Sequence, residues 1–262
     1  MIQKTTLFGF LAGMIIIGGS IIMATENPLI FFNVAGLGIV LGGIIATVVI
    51  SNNVFALIRL FTAIKNIFVW SIEPPRHTAA RYVEYARIVN ESGLSALESE
   101  LEKFEDEKLD KEALEFLLAG YKKEEILNYL DRAINEFLDR ESENAQLFKT
   151  MAKVSPAYGM IGTVVGLIVM LYNMGDDVSS VGPSMAIALV TTFYGVLFST
   201  AIFGPFADKI TRNMDLQLIN YRIMIDGISL VMDKRNPVFV RDALSSHLLP
   251  RYRRETEQKD DK

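Results

Sequence analysis

Four long apolar stretches, at about residues 7–24, 31–51, 152–174 and 183–205, dictate what this 262-residue chain can become. Each approaches the roughly 20 residues that an α-helix needs to cross a hydrocarbon layer. A water-soluble helix of that length keeps one polar face, and these do not. None carries Asp, Glu, His or Arg in its apolar core. The strongly polar groups at depth are small hydroxyls on the third and fourth stretches: Thr163, Thr191, Thr192, Ser199 and Thr200. A protein that moves ions across lipid unaided places an ionisable group at that depth. If this chain borders an ion pathway, a partner has to bring the carboxylate.

The first stretch follows one basic residue, Lys4, and a second apolar block begins a few residues later. That arrangement favours a pair of spans turned at Glu26, Asn27 and Pro28 over a cleaved signal sequence. Orientation follows the positive charges. The connections 25–30 and 175–182 hold no Lys or Arg, only Glu26 and then Asp176 and Asp177. Basic residues gather on the opposite side: Arg59, Lys65, Arg76 and Arg81, then Lys149 and Lys153, then Lys209 and Arg212. Both termini and the large middle segment are therefore expected in the cytoplasm. The absence of cysteine fits a reducing compartment, and a net charge of −5 gives no reason to expect nucleic acid as a partner.

The middle segment, 52–147, shows no strand-like alternation. A helix along the membrane surface is expected around Arg59 and Lys65, with a break at Glu73-Pro74-Pro75. Helices are predicted over 82–90, 94–104 and 111–118, with a corner at Ser92-Gly93 and a stop at Gly120. From 123 to 148, Ile126, Leu127, Leu130, Ile134, Phe137, Leu138 and Leu147 recur at helical spacing, and this helix is expected to continue into the third span. A tail helix over 207–234 ends at Asn236-Pro237, a short helix follows over 238–249, and the charged residues after Pro250 read as disordered. The expected fold is an all-α membrane protein with four transmembrane helices. Its blocks are a hairpin (1–51), a cytoplasmic helical domain (52–147), a second hairpin (148–206) and tail helices (207–262).

Enzymatic constellations are missing. There is no cysteine, and His77 and His247 lie in different polar regions, His77 reading as a surface residue. Gly159, Gly162 and Gly166 lie inside an apolar span with no strand before them, so they are not a nucleotide loop. They suit helix packing. Gly159, Gly162, Thr163 and Gly166 form one small-residue stripe, and Ala188, Thr192, Gly195 and Ser199 form a matching one. Gly9/Gly13 and Gly38/Gly42 are expected to serve ordinary packing within one subunit. Hydroxyls on the paired stripes can bond a carboxylate or offer oxygen to a hard cation such as Na⁺. Pro156 falls near the start of the third span, where proline is tolerated, and Pro205 at the end of the fourth, as a terminator or a hinge. The acidic run Glu98, Glu100, Glu102, Glu105, Asp106 and Glu107, against Arg81 and Arg87, reads as a solvated face that can also meet a partner of complementary charge.

These residues resemble a known family. Val154-Ser-Pro-Ala-Tyr-Gly-Met-Ile-Gly-Thr-Val-Val-Gly-Leu, Ala188-Leu-Val-Thr-Thr-Phe-Tyr-Gly, Pro205-Phe-Ala-Asp-Lys, Ile225-Asp-Gly-Ile and Asn236-Pro237 resemble the MotA/PomA family, ring subunits of the bacterial flagellar stator. Threonine at 163 is closer to the sodium-type PomA branch than to proton-type members with alanine nearby. The resemblance implies a homopentameric ring in the inner membrane. At its centre would stand two copies of a MotB/PomB-type partner whose single transmembrane helix carries the ion-binding Asp. Ion passage, Na⁺ favoured over H⁺, would turn the ring and drive the rotor protein FliG, with no resident cofactor or metal and no enzymatic activity.

Carried over residue by residue, Thr163, Thr192 and Thr191 border the ion path, and Pro156 and Pro205 couple it to movement. Glu98 falls on the acidic rotor-contact position, with Glu100 nearby. Asn90 stands where the family commonly has a basic residue, and Arg87, one turn earlier, is the candidate replacement. Two rivals remain at this point. One is an ExbB/TolQ-type motor subunit, which usually has three spans and a soluble segment after the first. The other is a membrane scaffold that conducts nothing.

Overall fold

A computed structural model describes residues 4–52, 55–69, 72–101, 109–174 and 181–248. All regular structure among them is helical. Ten α-helices follow in order: α1 (Lys4–Ala24), α2 (Val34–Ser51), α3 (Phe55–Val69), α4 (Pro75–Ser92), α5 (Glu98–Leu101), α6 (Leu109–Leu118), α7 (Lys123–Asn173), α8 (Val181–Leu197), α9 (Gly204–Met232) and α10 (Pro237–Ser245). Four helical stretches are long and apolar enough to cross a membrane: Thr6–Ala24, Pro28–Ser51, and parts of Lys123–Asn173 and Val181–Met232. Glu102, Glu105, Asp106 and Glu107, the loop acids Asp176 and Asp177, and the charged tail beyond Pro250 lie outside the described residues.

Two compact units divide the chain, and α7 and α9 each contribute to both. The first comprises residues 1–71 and 142–211. Its core takes Val40, Ile44 and Val48 from one face of α2, Leu60, Ala63 and Ile67 from α3, and Leu147, Phe148 and Met151 from α7. Val190 and Tyr194 of α8 and Phe206, Ala207 and Ile210 of α9 complete it. Phe206 is an aromatic hub, with ring centroids 5.7 Å from Phe68, 5.8 Å from Phe148 and 5.8 Å from Phe10. The pairs with Phe68 and Phe148 are edge-on, and each such pair contributes about 0.5–1.5 kcal/mol beyond buried area. The hub fixes the residue immediately after Pro205.

Glycine spacing on the first hairpin misleads. Gly9, Gly13, Gly38 and Gly42 meet nothing within 4 Å, so the packing expected of them within the chain is absent. The close approaches on α2 belong to Gly36, under Thr191, and Gly43, under the Tyr158 ring.

The second unit, 72–141 with 212–262, joins the middle segment and the tail in one core. Tyr82, Tyr85, Ala86 and Val89 of α4 pack with Leu114 and Leu117 of α6, Ile126 and Leu130 of α7, Ile223, Met224 and Ile228 of α9, and Val240 and Leu244 of α10. Pro75 opens α4 as its first residue, where a missing N–H costs nothing. Gly93, at φ +83°, closes α4 and Gly120, at φ +78°, closes α6, both in the left-handed region that glycine adopts freely. Asn220 ties the unit internally. Its amide donates to Glu73 O at 2.9 Å, and its oxygen accepts from Thr78 Oγ1 at 3.2 Å.

Candidate functional site

α7 and α8 run antiparallel and touch backbone to backbone. A Cβ added at Gly195 would sit 2.6 Å from Ser155 O, and one at Gly166 would sit 2.9 Å from Ala188 Cα. At Gly162 it would meet the Thr191 side chain at 2.6 Å. Only residues without side-chain bulk permit this approach, which is what the paired small-residue stripes provide.

The close approach brings oxygens together. Thr163 Oγ1 and Thr192 Oγ1 are hydrogen-bonded to each other. Thr163 Oγ1 also lies 3.0 Å from Ala188 O and 3.2 Å from Gly159 O. One hydroxyl has one proton to donate, so Thr163 serves one of these acceptors at a time. Both threonines are half-buried. The result is a cluster of two hydroxyls and two carbonyls in apolar surroundings, able to accept from a carboxylic acid, donate to a carboxylate or ligate a hard cation. Among the described residues there is no group of three or more His, Cys, Asp or Glu that could hold a metal instead.

Thr191 touches the cluster through the Ala188 carbonyl, which it shares with Thr163. It is fully buried, its hydroxyl turned back to Ala188 O at 2.8 Å and its methyl packed beneath Gly36. Adjacent helical residues point about 100° apart, so Thr191 and Thr192 meet different neighbours around that carbonyl.

Two tyrosines that sequence reasoning passed over mount the pair on α2 and on the residues just before it. Tyr158 lays its ring on Gly43 and bonds Thr47 Oγ1 through its hydroxyl at 2.7 Å. Tyr194 accepts from Asn33 N at 2.9 Å and donates to Phe31 O. An aromatic residue in an apolar span carries no sequence mark of which glycine it covers.

Pro156 lies inside α7 rather than at a helix start. Pro205 is the second residue of α9, reached through a π-helical turn, Phe198–Phe203, in which Gly204 N–H bonds Ser199 O. The helix runs through this region without a break. The wider turn shifts the backbone bonding just before the proline, which has no N–H to give.

The remaining candidates lie in the second unit. Glu98 is exposed at the start of α5, and Glu100 is half-buried. Arg87 is exposed and paired with Glu84 at 2.7 Å, a partner that raises its pKa further. Asn90 is held rather than extended, its amide donating to Ala86 O at 2.7 Å and Arg235 O at 2.9 Å. Arg81 is paired with Glu73 and stands 3.9 Å from Asp110, which accepts the Tyr82 hydroxyl at 2.8 Å.

Comparison with known proteins adds ancestry to this geometry. Residues 96–223 match the MotA/TolQ/ExbB proton channel family. The chain is 33% identical over 244 residues to the chemotaxis protein PomA of Vibrio alginolyticus, covering 92% of this chain and 91% of that one. It is 31% identical over 237 residues to motility protein A of Aquifex aeolicus, covering 90% and 92%. Its fold matches the flagellar MotAB stator complex of Bacillus subtilis with a TM-score of 0.83 at 23% identity, over 99% of this chain and 100% of that one. Identity at this level, sustained from the first span into the tail, means that the chain belongs to the MotA/PomA family.

Proposed function

We propose that the chain is the ring subunit of an ion-driven flagellar stator in the bacterial inner membrane, with both termini cytoplasmic. The observation that carries this reading is the Thr163–Thr192 hydroxyl pair with the Ala188 and Gly159 carbonyls, set in a seam without ionisable residues. A cation entering such a seam meets dipoles but no counter-charge, and a bare charge in apolar surroundings is costly. A single-span partner of MotB/PomB type, bearing an Asp, supplies that charge. Several copies of this chain, five in the stator reading, surround it.

Sodium is favoured over the proton because a hard cation takes its ligands from oxygens of this kind, whereas a proton needs only one acceptor. The ion is cargo, not cofactor, and the chain catalyses no covalent chemistry. Torque would leave through the exposed side of the second unit, where Glu98 meets FliG. With Arg87 engaged by Glu84 and Asn90 bound to two carbonyls, basic contacts at this surface are weaker than the resemblance implies.

The test replaces Thr163 in cells that lack the chromosomal copy. Thr163→Val keeps the shape and removes the hydroxyl, and is expected to abolish swimming at unchanged protein level, while Thr163→Ser retains it. Speed at fixed pH should rise with external sodium. Normal swimming by Thr163→Val would overturn the role of the hydroxyl pair, and a speed indifferent to sodium would reverse the choice of ion.

A further inference from the structure

Pro156 and Pro205 each lack the N–H that a helical ladder uses, and one residue, Ser199, is tied to the backbone beside both. Pro156 has no N–H, so the Ala152 carbonyl four residues earlier receives no bond from it. Ser199 Oγ lies 2.7 Å from that oxygen and donates to it from the neighbouring helix. A membrane serine or threonine ordinarily bonds back to its own helix. Thr200 does so, to Val196 O at 2.8 Å, and Ser199 beside it does not. The Ser199 carbonyl meanwhile accepts Gly204 N–H, the bond of the π turn that leads into Pro205. One residue therefore closes the gap at Pro156 with its side chain and forms the turn before Pro205 with its backbone.

The spacing gives this contact a consequence. Pro156 and Thr163 are seven residues apart, as are Thr192 and Ser199, so two helical turns separate the contact from the hydroxyl pair on both helices. Between them lies a close backbone approach, at Gly159 and Gly195, which leaves no flexible side chain to absorb a slip.

We propose that Ser199 is a positioning residue of the ion path. Its hydroxyl replaces the bond that Pro156 removes, fixes the register of α7 against α8, and thereby holds Thr163 and Thr192 at bonding distance. The positioning role rests on the reading of that pair as part of the path, whereas the bond stands on geometry alone.

A double-mutant cycle in the purified complex of full chain and partner tests the bond. Ser199→Val and Ser199→Thr have the same shape and differ in the hydroxyl. Val is expected to shift the unfolding equilibrium roughly threefold relative to Thr, the size of an average interhelical hydrogen bond in a membrane. In a Pro156→Ala background the restored N–H also serves the Ala152 carbonyl, so the difference between Val and Thr should shrink. An equal difference in both backgrounds, or none with Pro156 present, overturns the proposal. Should Pro156→Ala not assemble, the comparison with Pro156 present decides by itself.

The positioning role is read from swimming speed against external ion. Ser199→Val should raise the half-saturating concentration, and Ser199→Thr should restore it. Unchanged ion dependence would overturn that role. A wild-type chain that drives no swimming would count against the stator reading instead, and the unfolding cycle would still decide on the bond.

Discussion

At Gly195 a single methyl group has nowhere to go, because its nearest neighbours, Ser155 O and Gly159 Cα at 2.6 and 2.9 Å, are backbone. Gly195→Ala must therefore separate α7 from α8, at a cost of about 1–3 kcal/mol typical of overpacking. Thr192 lies one turn away and should lose its bond to Thr163. The expected outcome is a lower melting temperature of the purified complex together with lost swimming. Gly38→Ala, where a Cβ meets nothing, serves as the control and should leave both unchanged. The difference between these glycines marks the limit of sequence reading at this scale. The stripe through Gly159, Gly162 and Gly166 was legible because its spacing matches a helix face that demands small residues. Gly36 and Gly43 were not, because their partners are a threonine methyl and a tyrosine ring on other helices, and spacing names no partner.

At the scale of elements, α4 shows how the second unit is held. The Tyr82 hydroxyl is fully buried and donates to Asp110, and both its burial and that carboxylate push its pKa well above the ordinary tyrosine value. Tyr82→Phe leaves Asp110 without that donor and should cost about 1 kcal/mol or more, read by thermal unfolding of the detergent-purified chain. The pH dependence has a fixed sign. A tyrosine whose folded pKa is raised stabilises fully below its unfolded value of about 10 and loses that contribution as pH rises through the folded value. The wild type should therefore weaken above that pH, and Tyr82→Phe should weaken less.

The helices themselves were largely readable: the long amphipathic pattern from 123 does run on into the third span, and Gly93 and Gly120 end helices as expected. The π turn before Pro205 was not readable. Its bond from Gly204 N–H to Ser199 O follows no residue pattern, and the Ser199 hydroxyl bonds Ala152 O across 47 residues of sequence.

For the molecule as a whole, the exterior is as informative as the core. α1 exposes Phe8, Ile15, Ile16 and Met23, and α7 exposes Met160, Val164, Ile168 and Leu171, an apolar surface that water would not tolerate. Lipid covers such a surface on the outside, and in the proposed ring further copies and the central helix cover the remainder. The sequence conveyed this scale through its four apolar blocks, since helix length and bilayer thickness are matched by physics. It could not convey that α4 and α6 share one core with α9 and α10, because amphipathic segments far apart in sequence carry no mark of each other.

The central claim is that this chain provides oxygens and close helix packing while a partner provides the acid. Ion flux into vesicles tests it most directly, with the chain alone, with its single-span partner, and with the partner's intramembrane Asp changed to Asn. Flux is predicted only where the carboxylate is present. Flux through the chain alone, or undiminished flux with the amide, would contradict the account.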